Sequence, residues 1–261
     1  MEIVQLTDKS EIYDHLIKNK PLNIYSIGDL DDFFWPYTQW FGLKDNSELQ
    51  AIVLLYTGLS QPTVLALSEN IQPLTELFVQ IRDQLPHRFY AHLSPGVLER
   101  IQDDYKCEPH GSHFKMNLTD WQIIENFENF EVENLTMDEL ENILDFYAEA
   151  YPGNWFDQRM LSTGHYYTLR RDNRIAGIAG VHVYSRDYKV AALGNISTHP
   201  DYRGRGIGYL TTAYCCKQLA RTVNTIGLNV SQANPAAIAL YKKLGFDITA
   251  EYEELVLEKI K

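Results

Sequence analysis

From residue 188 to 257 the chain alternates strand, glycine-rich turn, helix, strand, helix and strand, and the turn limits the fold most. Arg203-Gly204-Arg205-Gly206-Ile207-Gly208 follows a strand-like run over 188–198 and opens a helix over 206–221, with Ile207, Leu210 and Tyr214 on one stripe. A strand reads over 225–230. Asn234 then caps a helix with Pro235 at its first position, Gly245 closes it, and strands at 246–249 and 252–257 end the pattern. Residues 202–246 contain no Asp or Glu, in a chain whose formal net charge is −12. The formal charges in that stretch are Arg203, Arg205, Lys217, Arg221, Lys242 and Lys243. A basic, glycine-rich strand-to-helix turn suits a pyrophosphate or polyphosphate. The helix start offers backbone amides and the positive end of its dipole, and glycine lets the main chain approach.

The charge distribution sets this turn apart. Residues 1–130 carry 9 Lys+Arg against 19 Asp+Glu, and residues 131–261 carry 14 against 16. Such a balance argues against non-specific nucleic-acid binding, which needs a surplus of Lys and Arg. An anionic ligand therefore has to be captured locally, in the second half. No apolar run approaches the roughly 18–20 residues of a membrane span, and Met1-Glu2-Ile3-Val4-Gln5 lacks the basic-then-apolar pattern of a signal peptide. No membrane partner and a cytoplasmic location are expected. Cys107, Cys215 and Cys216 fit neither a disulfide framework nor zinc spacing and read as reduced core thiols, so no metal is expected.

A length of 261 residues accommodates two ordinary domains. The second half opens with a short edge strand over 130–134. Thr136-Met137-Asp138-Glu139 reads as a capping box, with Leu135 and Leu140 as its hydrophobic staple. Leu140, Ile143, Leu144 and Tyr147 follow at helical spacing until Pro152-Gly153, and a short helix is expected over 155–161. Strands over 165–170 and 174–184 form a hairpin through Arg171-Asp172-Asn173, and 188–198 pairs back through Ser185-Arg186-Asp187. In the first half, a helix over 8–19 precedes an aromatic cluster, Phe33, Phe34, Trp35, Tyr37 and Trp40, read as core. A hairpin of 48–57 and 63–68, a helix over 73–84, a strand over 87–93 and a short helix after Pro95 complete it. This order loosely repeats the second half, without a glycine-rich turn. The polar stretch 117–130 is the expected boundary, giving domains 1–120 and 130–261.

The turn is not a P-loop, because neither Lys nor Ser/Thr follows Gly208. Nor is it a dinucleotide fingerprint: Tyr209 stands where the last glycine belongs, and the acid-free run leaves no carboxylate for a ribose. Arg-x-x-Gly-x-Gly at Arg203, Gly206 and Gly208 resembles instead the pyrophosphate loop of the GNAT superfamily of acyl-CoA-dependent N-acyltransferases. The resemblance takes in His199-Pro200-Asp201-Tyr202-Arg203-Gly204-Arg205-Gly206-Ile207-Gly208. It also takes in the second family signature, Asn234-Pro235-Ala236-Ala237-Ile238-Ala239-Leu240-Tyr241-Lys242-Lys243-Leu244-Gly245-Phe246. With the order of elements from 130 to 261 it covers half the chain.

The resemblance implies an α/β (α+β) fold of two tandem GNAT-like domains, each a mixed, mainly antiparallel twisted sheet flanked by helices. The arrangement is similar to that of glycine N-acyltransferase-like proteins, whose catalytic half is C-terminal; the first domain would be degenerate, without the CoA loop. It implies acetyl-CoA or another acyl-CoA as co-substrate, with Arg203, Gly204, Arg205, Gly206, Ile207 and Gly208 around the pyrophosphate. Asn195, Ile196, Ser197 and Thr198 would follow the pantetheine arm through backbone groups, on a strand that splays from the next. Asn229 would lie near the acyl end, and Asn234, Ala237 and Lys243 would contact the cofactor from the second signature.

Tyr241 matches the family position whose phenol protonates the departing thiolate; the competing reading is a core tyrosine on the stripe Ala237, Leu240, Tyr241 and Leu244. Many family members place a glutamate on the strand before the loop, but Ala191-Ala192-Leu193-Gly194-Asn195-Ile196-Ser197 has no carboxylate. His182, on the preceding strand, is the first candidate for general base because an imidazole titrates near neutrality. Glu149, Asp157 and a water chain stand as alternatives, and His199 reads as turn chemistry. The expected reaction is direct transfer of acetyl to a primary amine of a small molecule or peptide; a homodimer is compatible with it. Two other readings stand beside it: a non-catalytic acyl-CoA sensor, and an amino-acid N-acyltransferase using longer acyl chains.

Overall fold

The computed structural model describes residues 1–128 and 131–260, which form two units. The first unit holds the chain up to Lys115 together with 230–233 and the stretch from Thr249; the second holds 116–229 and 234–248. The C-terminal strand therefore packs with the first half, where the expected boundary had left it in the second.

In the first unit β1 (Glu2–Leu6), β2 (Thr38–Asp45), β3 (Glu48–Tyr56) and β4 (Thr63–Ala66) are antiparallel neighbours in sequence order. β4 pairs in parallel with β5 (Arg88–Leu93), whose other edge takes the last strand, β12 (Phe246–Lys259), antiparallel. Residues at alternate positions share a sheet face. Ala51, Val53, Leu55, Phe89, Ala91, Leu93, Leu255 and Leu257 thus bury one apolar face against Leu74, Leu77 and Phe78 of α3 (Ile71–Gln80). α1 (Lys9–Leu16) starts where Asp8 accepts from the Ser10 amide at 2.8 Å. α2 (Ile24–Gly28) and α4 (Leu98–Ile101) are short. β1, β2 and β6 (Tyr105–Leu118) had no counterpart in the sequence expectations, and the two expected final strands are one continuous β12. The aromatic cluster is only in part core: Phe34 and Trp40 are buried, whereas Phe33 and Tyr37 lie exposed.

The opposite face of the first sheet buries Trp40, Ile52, Leu54 and Leu65 on β2 to β4 and holds buried polar groups toward β12. The Lys115 ammonium lies 5.0 Å from the Tyr25 ring centre and 4.9 Å from that of Tyr252. Burial pushes its pKa from the ordinary 10.5 down to about 7, against the opposing charge of Glu254. Between those values the unfolded chain holds a proton that the folded protein lacks, so stability rises with pH. Asp29, which burial pushes up to about 8, acts in the opposite sense below that value. Between about pH 8 and 10 Lys20, also lowered by burial, acts in the same sense as Lys115, while Cys107, Cys215 and Cys216, which burial raises, act against it. The Lys115 contribution is therefore the difference between wild type and a variant without the ammonium. Lys115→Met is expected to flatten the rise in stability there; denaturant unfolding across that interval checks it, and equal slopes in both proteins would refute the assignment.

The second unit repeats the pairing order. β7 (Val132–Asn134), β8 (Tyr167–Arg171), β9 (Arg174–Ser185) and β10 (Val190–Thr198) are antiparallel neighbours, and β10 pairs in parallel with β11 (Thr225–Ser231). α5 (Trp121–Glu125) lies in the stretch expected to be a linker; Asp120 caps it by accepting from the Gln122 amide at 3.1 Å. The Thr119 and Asp120 amides both donate to the Gly245 carbonyl. Gly245 has φ +89°, and a Cβ there would lie 2.6 Å from the Asp120 carbonyl oxygen, so this turn requires glycine. Phe130, expected to begin the edge strand, lies outside the described residues. Thr136 makes no side-chain cap; a 3-10 turn over Met137–Glu139 leads instead into α6 (Leu140–Ala150). The helix expected over 155–161 is a 3-10 segment, Gln158–Thr163. Among the described residues no helix is long and apolar enough to cross a membrane, and no group of three His, Cys, Asp or Glu is placed to hold a metal ion.

Candidate active site

β10 and β11 are paired from Val190↔Thr225 to Leu193↔Leu228, and β10 then runs on to Thr198 without a partner on that side among the described residues. A bulge accompanies the parting: the β9 register shifts between Gly194 and Ser197, and Asn195 takes a left-handed φ of +53°. Two buried tyrosines brace it. The Tyr147 hydroxyl donates to the Asn195 carbonyl at 2.7 Å. Asn195 Nδ2 donates to the Tyr166 oxygen at 3.0 Å, and the Tyr166 hydroxyl donates to the Val181 carbonyl at 3.0 Å. Ile196, Ser197 and Thr198 thus border an opening on one strand and Asn229 borders it on the other. Asn195, grouped with them from the sequence, has its carbonyl engaged by Tyr147.

The glycine-rich turn leads into α7 (Ile207–Leu219) at the same end. Gly204 and Gly206 have φ of +75° and +78°, and a Cβ at either would meet nothing within 4 Å. Gly206 is the N-cap residue and no side chain caps the helix, whose first intrahelical bond runs from the Leu210 amide to the Gly206 carbonyl. The amides of Ile207, Gly208 and Tyr209 therefore lack helical acceptors at the positive end of the helix dipole. Gly208 is glycine for a different reason: a Cβ would stand 3.1 Å from Thr198 Oγ1 and 3.3 Å from Leu240 Cδ1. Lys243, at the end of α8 (Pro235–Lys243), holds its ammonium 5.0 Å over the Tyr209 ring and adds a cation beside this helix start. Arg205 lies 5.5 Å over the Tyr202 ring. Arg203 donates from Nε to the Thr198 carbonyl at 3.2 Å and from Nη2 to the Ala150 carbonyl at 3.3 Å. It thus straps the strand end to the end of α6. Asn234 caps α8, accepting from the Ala237 amide at 3.1 Å.

Tyr241, on α8, is buried against Phe246 with its ring centres 6.1 Å apart, and its phenol has no hydrogen-bond partner among the described residues. Burial lifts its pKa well above the usual value, and Tyr151 and Cys216 add to this. The phenol therefore keeps its proton at neutral pH, as an acid must. His182 lies flat on the bulged strand: a Cβ on Gly194 would stand 2.0 Å from its Cδ2 and 2.4 Å from its Nε2. Glycine at 194 is what admits the imidazole to the parting of the strands.

The carboxylate alternatives are engaged elsewhere. Glu149 Oε2 lies 2.8 Å from His199 Nε2 and 3.8 Å from Arg174, and the hydrogen bond to His199 lowers its pKa, away from the range of a base. Asp157 accepts from the Arg159 amide at 2.9 Å and pairs with its guanidinium at 2.6 Å. His199 Nδ1 accepts from the Asp201 amide at 3.3 Å, which leaves Nε2 as the proton donor to Glu149 and makes this histidine a turn fastener. Sequence reasoning missed Tyr147, Tyr166 and the role of Gly194. The Gly194-Asn195 pair inside a strand was a local sign of a bulge, but the tyrosines meet it across 48 and 29 residues and leave no local sign.

A bulged strand, a parallel neighbour that parts from it and a glycine-rich helix start together define an acyltransferase-type α/β domain. The chain belongs to the acetyltransferase (GNAT) family, whose model matches residues 128–246. It is 34% identical over 105 residues to the [ribosomal protein bS18]-alanine N-acetyltransferase of Escherichia coli (strain K12), covering 38% of this chain and 68% of that protein. For the Salmonella typhimurium counterpart the identity is 39% over 80 residues, which is 30% of this chain and only 52% of the relative's length. Among solved structures, a Drosophila protein superposes with a TM-score of 0.75 at 14% identity over 98% of both chains. A tandem GNAT protein from the clavulanic acid biosynthesis pathway does so with 0.58 at 14% identity, again over 98% of each. The fold is therefore that of a tandem GNAT protein.

Proposed function

We propose that the second unit binds acetyl-CoA and transfers its acetyl group directly to a primary amine of a small molecule or peptide. The observation that carries this is the parting of β10 from β11 beside an uncapped, glycine-rich helix start. Pyrophosphate is held by the amides of Ile207 and Gly208 with Gly204, Gly206, Arg205 and Lys243 around it, and Arg203 fixes the loop's approach. The pantetheine arm runs along Ile196, Ser197 and Thr198, with Asn229 toward the acyl end and Asn234 and Ala237 at the start of α8. His182 takes a proton from the ammonium; the free amine attacks the thioester carbonyl, and the Ile196 amide receives the developing oxyanion. As the C–N bond forms and the C–S bond breaks, the Tyr241 phenol gives its proton to the thiolate, and the surplus proton on the new amide nitrogen restores the phenol.

The first unit does not share this role. β4 and β5 stay paired from Thr63↔Tyr90 to Ala66↔Leu93, and the Ser94 amide extends the ladder to the Ala66 carbonyl at 3.0 Å. The segment leading from β4 to α3 has Glu69 and no glycine. A closed strand pair leaves no parting for a pantetheine arm, and the β4–α3 segment offers a carboxylate in place of glycines to a pyrophosphate. The E. coli relative acts, by its name, on an alanine of ribosomal protein bS18, which makes peptide α-amines one arm of the acceptor search.

Transfer of label from acetyl-CoA to panels of amines and peptides tests the proposal. Tyr241→Phe is expected to lower kcat about a hundredfold while acetyl-CoA affinity stays within a factor of about two, because the phenol acts only as the thiolate leaves. Binding of acetyl-CoA without turnover on any acceptor would favour the sensor reading instead.

A further inference from the structure

We infer that Tyr147 is a positioning residue that aims and strengthens the oxyanion donor of the second unit. The inference rests on the proposed acyl transfer. Its starting point is the peptide that joins Asn195 to Ile196, which is trans. In a trans peptide the carbonyl and the amide N–H of the same unit point in opposite directions. The Asn195 carbonyl accepts from the Tyr147 hydroxyl at 2.7 Å, so the Ile196 N–H points away from Tyr147. A hydrogen bond on the carbonyl also polarises the unit and makes its N–H a better donor.

The strand around this peptide is held in a conformation that needs holding. Asn195 is 4% exposed with φ +53°, a left-handed conformation that asparagine tolerates but that breaks the strand's extended run. Its Oδ1 is buried without a hydrogen-bond partner among the described residues. Its Nδ2 is tied to Tyr166, whose ring lies against Gly180, where a Cβ would stand 2.4 Å from Cε1. The amide orientation follows from the chain of donors: Tyr166 gives its only proton to the Val181 carbonyl and so must accept from Asn195. One hydroxyl on α6 therefore holds the Asn195 carbonyl, and a second, just ahead of β8, holds the Asn195 side chain. Tyr147 engages Asn195, Phe146 and Phe156, and Tyr166 engages Asn195, Val181 and Phe156. None of these lies at the helix start of 204–208, so the brace bears on the thioester and not on nucleotide affinity.

Tyr147→Phe keeps the ring and removes the hydroxyl. The expected result is a fall in kcat of about tenfold to a hundredfold, since loss of a whole oxyanion donor costs more, roughly 10²–10³. The dissociation constant for CoA itself is expected within about twofold of wild type, because the change lies outside the uniform binding interactions. The thioester carbonyl stretch of bound acetyl-CoA, read by difference infrared spectroscopy, is expected to shift toward its position in free acetyl-CoA. Unchanged kcat, an unmoved carbonyl band, or an equal loss of CoA affinity overturns the inference. If Tyr147→Phe is too unstable to assay, Asn195→Gly carries the test: glycine keeps the positive φ and severs the tie to Tyr166. Its kcat is expected to fall with CoA affinity unchanged, and a wild-type kcat overturns the brace. Wild-type protein that fails to bind acetyl-CoA would overturn the reading of the site itself, before any variant is compared.

Discussion

Gly206→Asp is expected to weaken acetyl-CoA binding by a hundredfold or more, about 2.7 kcal/mol, and to leave the fold in place. A Cβ at this position meets nothing within 4 Å, so no packing is lost. The backbone φ of +78° strains an aspartate by roughly 1 kcal/mol, less than most residues because Asp and Asn tolerate the left-handed region. What the carboxylate does is take the anion's place. It stands at the start of α7, where no side chain now caps the helix, and accepts the amides the pyrophosphate would use. Helix stability is therefore kept or gained while the ligand meets a like charge. Gly206→Asn separates the two effects, since it has the same shape without the charge and should lose far less affinity. Calorimetric titration of both variants with acetyl-CoA, alongside their melting temperatures, checks this. Wild-type affinity in Gly206→Asp would remove the helix start from the binding site.

How far the sequence disclosed this molecule follows from how local each signal is. The loop, the Asn234 cap, Pro235 at the first turn and Gly245 at the end of α8 are all contained in short segments, and the helices built on them stand as expected. The exchange of the last strand was not legible, because β12 reads as strand wherever it pairs and nothing in residues 249–259 names β5 as its partner. β6 was missed because Pro109 and Gly111 interrupt its apolar alternation. The resemblance gave Arg203 as a phosphate ligand, but an arginine's fork can also reach two carbonyls, and only the fold brings Thr198 and Ala150 within its span. The thiols behaved as their surroundings dictate: Cys215 and Cys216 are fully buried, and burial raises both pKa values.

Removal of the His182 imidazole is the second change expected to have a large effect. His182→Ala should lower kcat/KM by about 10²–10⁴, the usual worth of a general base, with acetyl-CoA affinity unaltered. The wild-type rate is expected to fall on the acid side as the imidazole takes up its proton, and that limb should vanish in the variant. A pH–rate profile distinguishes this from a structural loss, which would lower the whole curve without changing its shape. Gly194→Ala tests the same imidazole from the other side of the contact. The added Cβ would fall 2.0 Å from His182 Cδ2, inside any tolerable approach, so the ring must leave the strand. Both variants are expected to lose the acid limb, although only one of them alters the histidine. Glu149 offers no substitute, since its carboxyl is lowered by His199 and is ionised across the range in which the limb appears. If both variants retain the wild-type profile, proton removal from the amine passes through water, and the imidazole on Gly194 is packing alone.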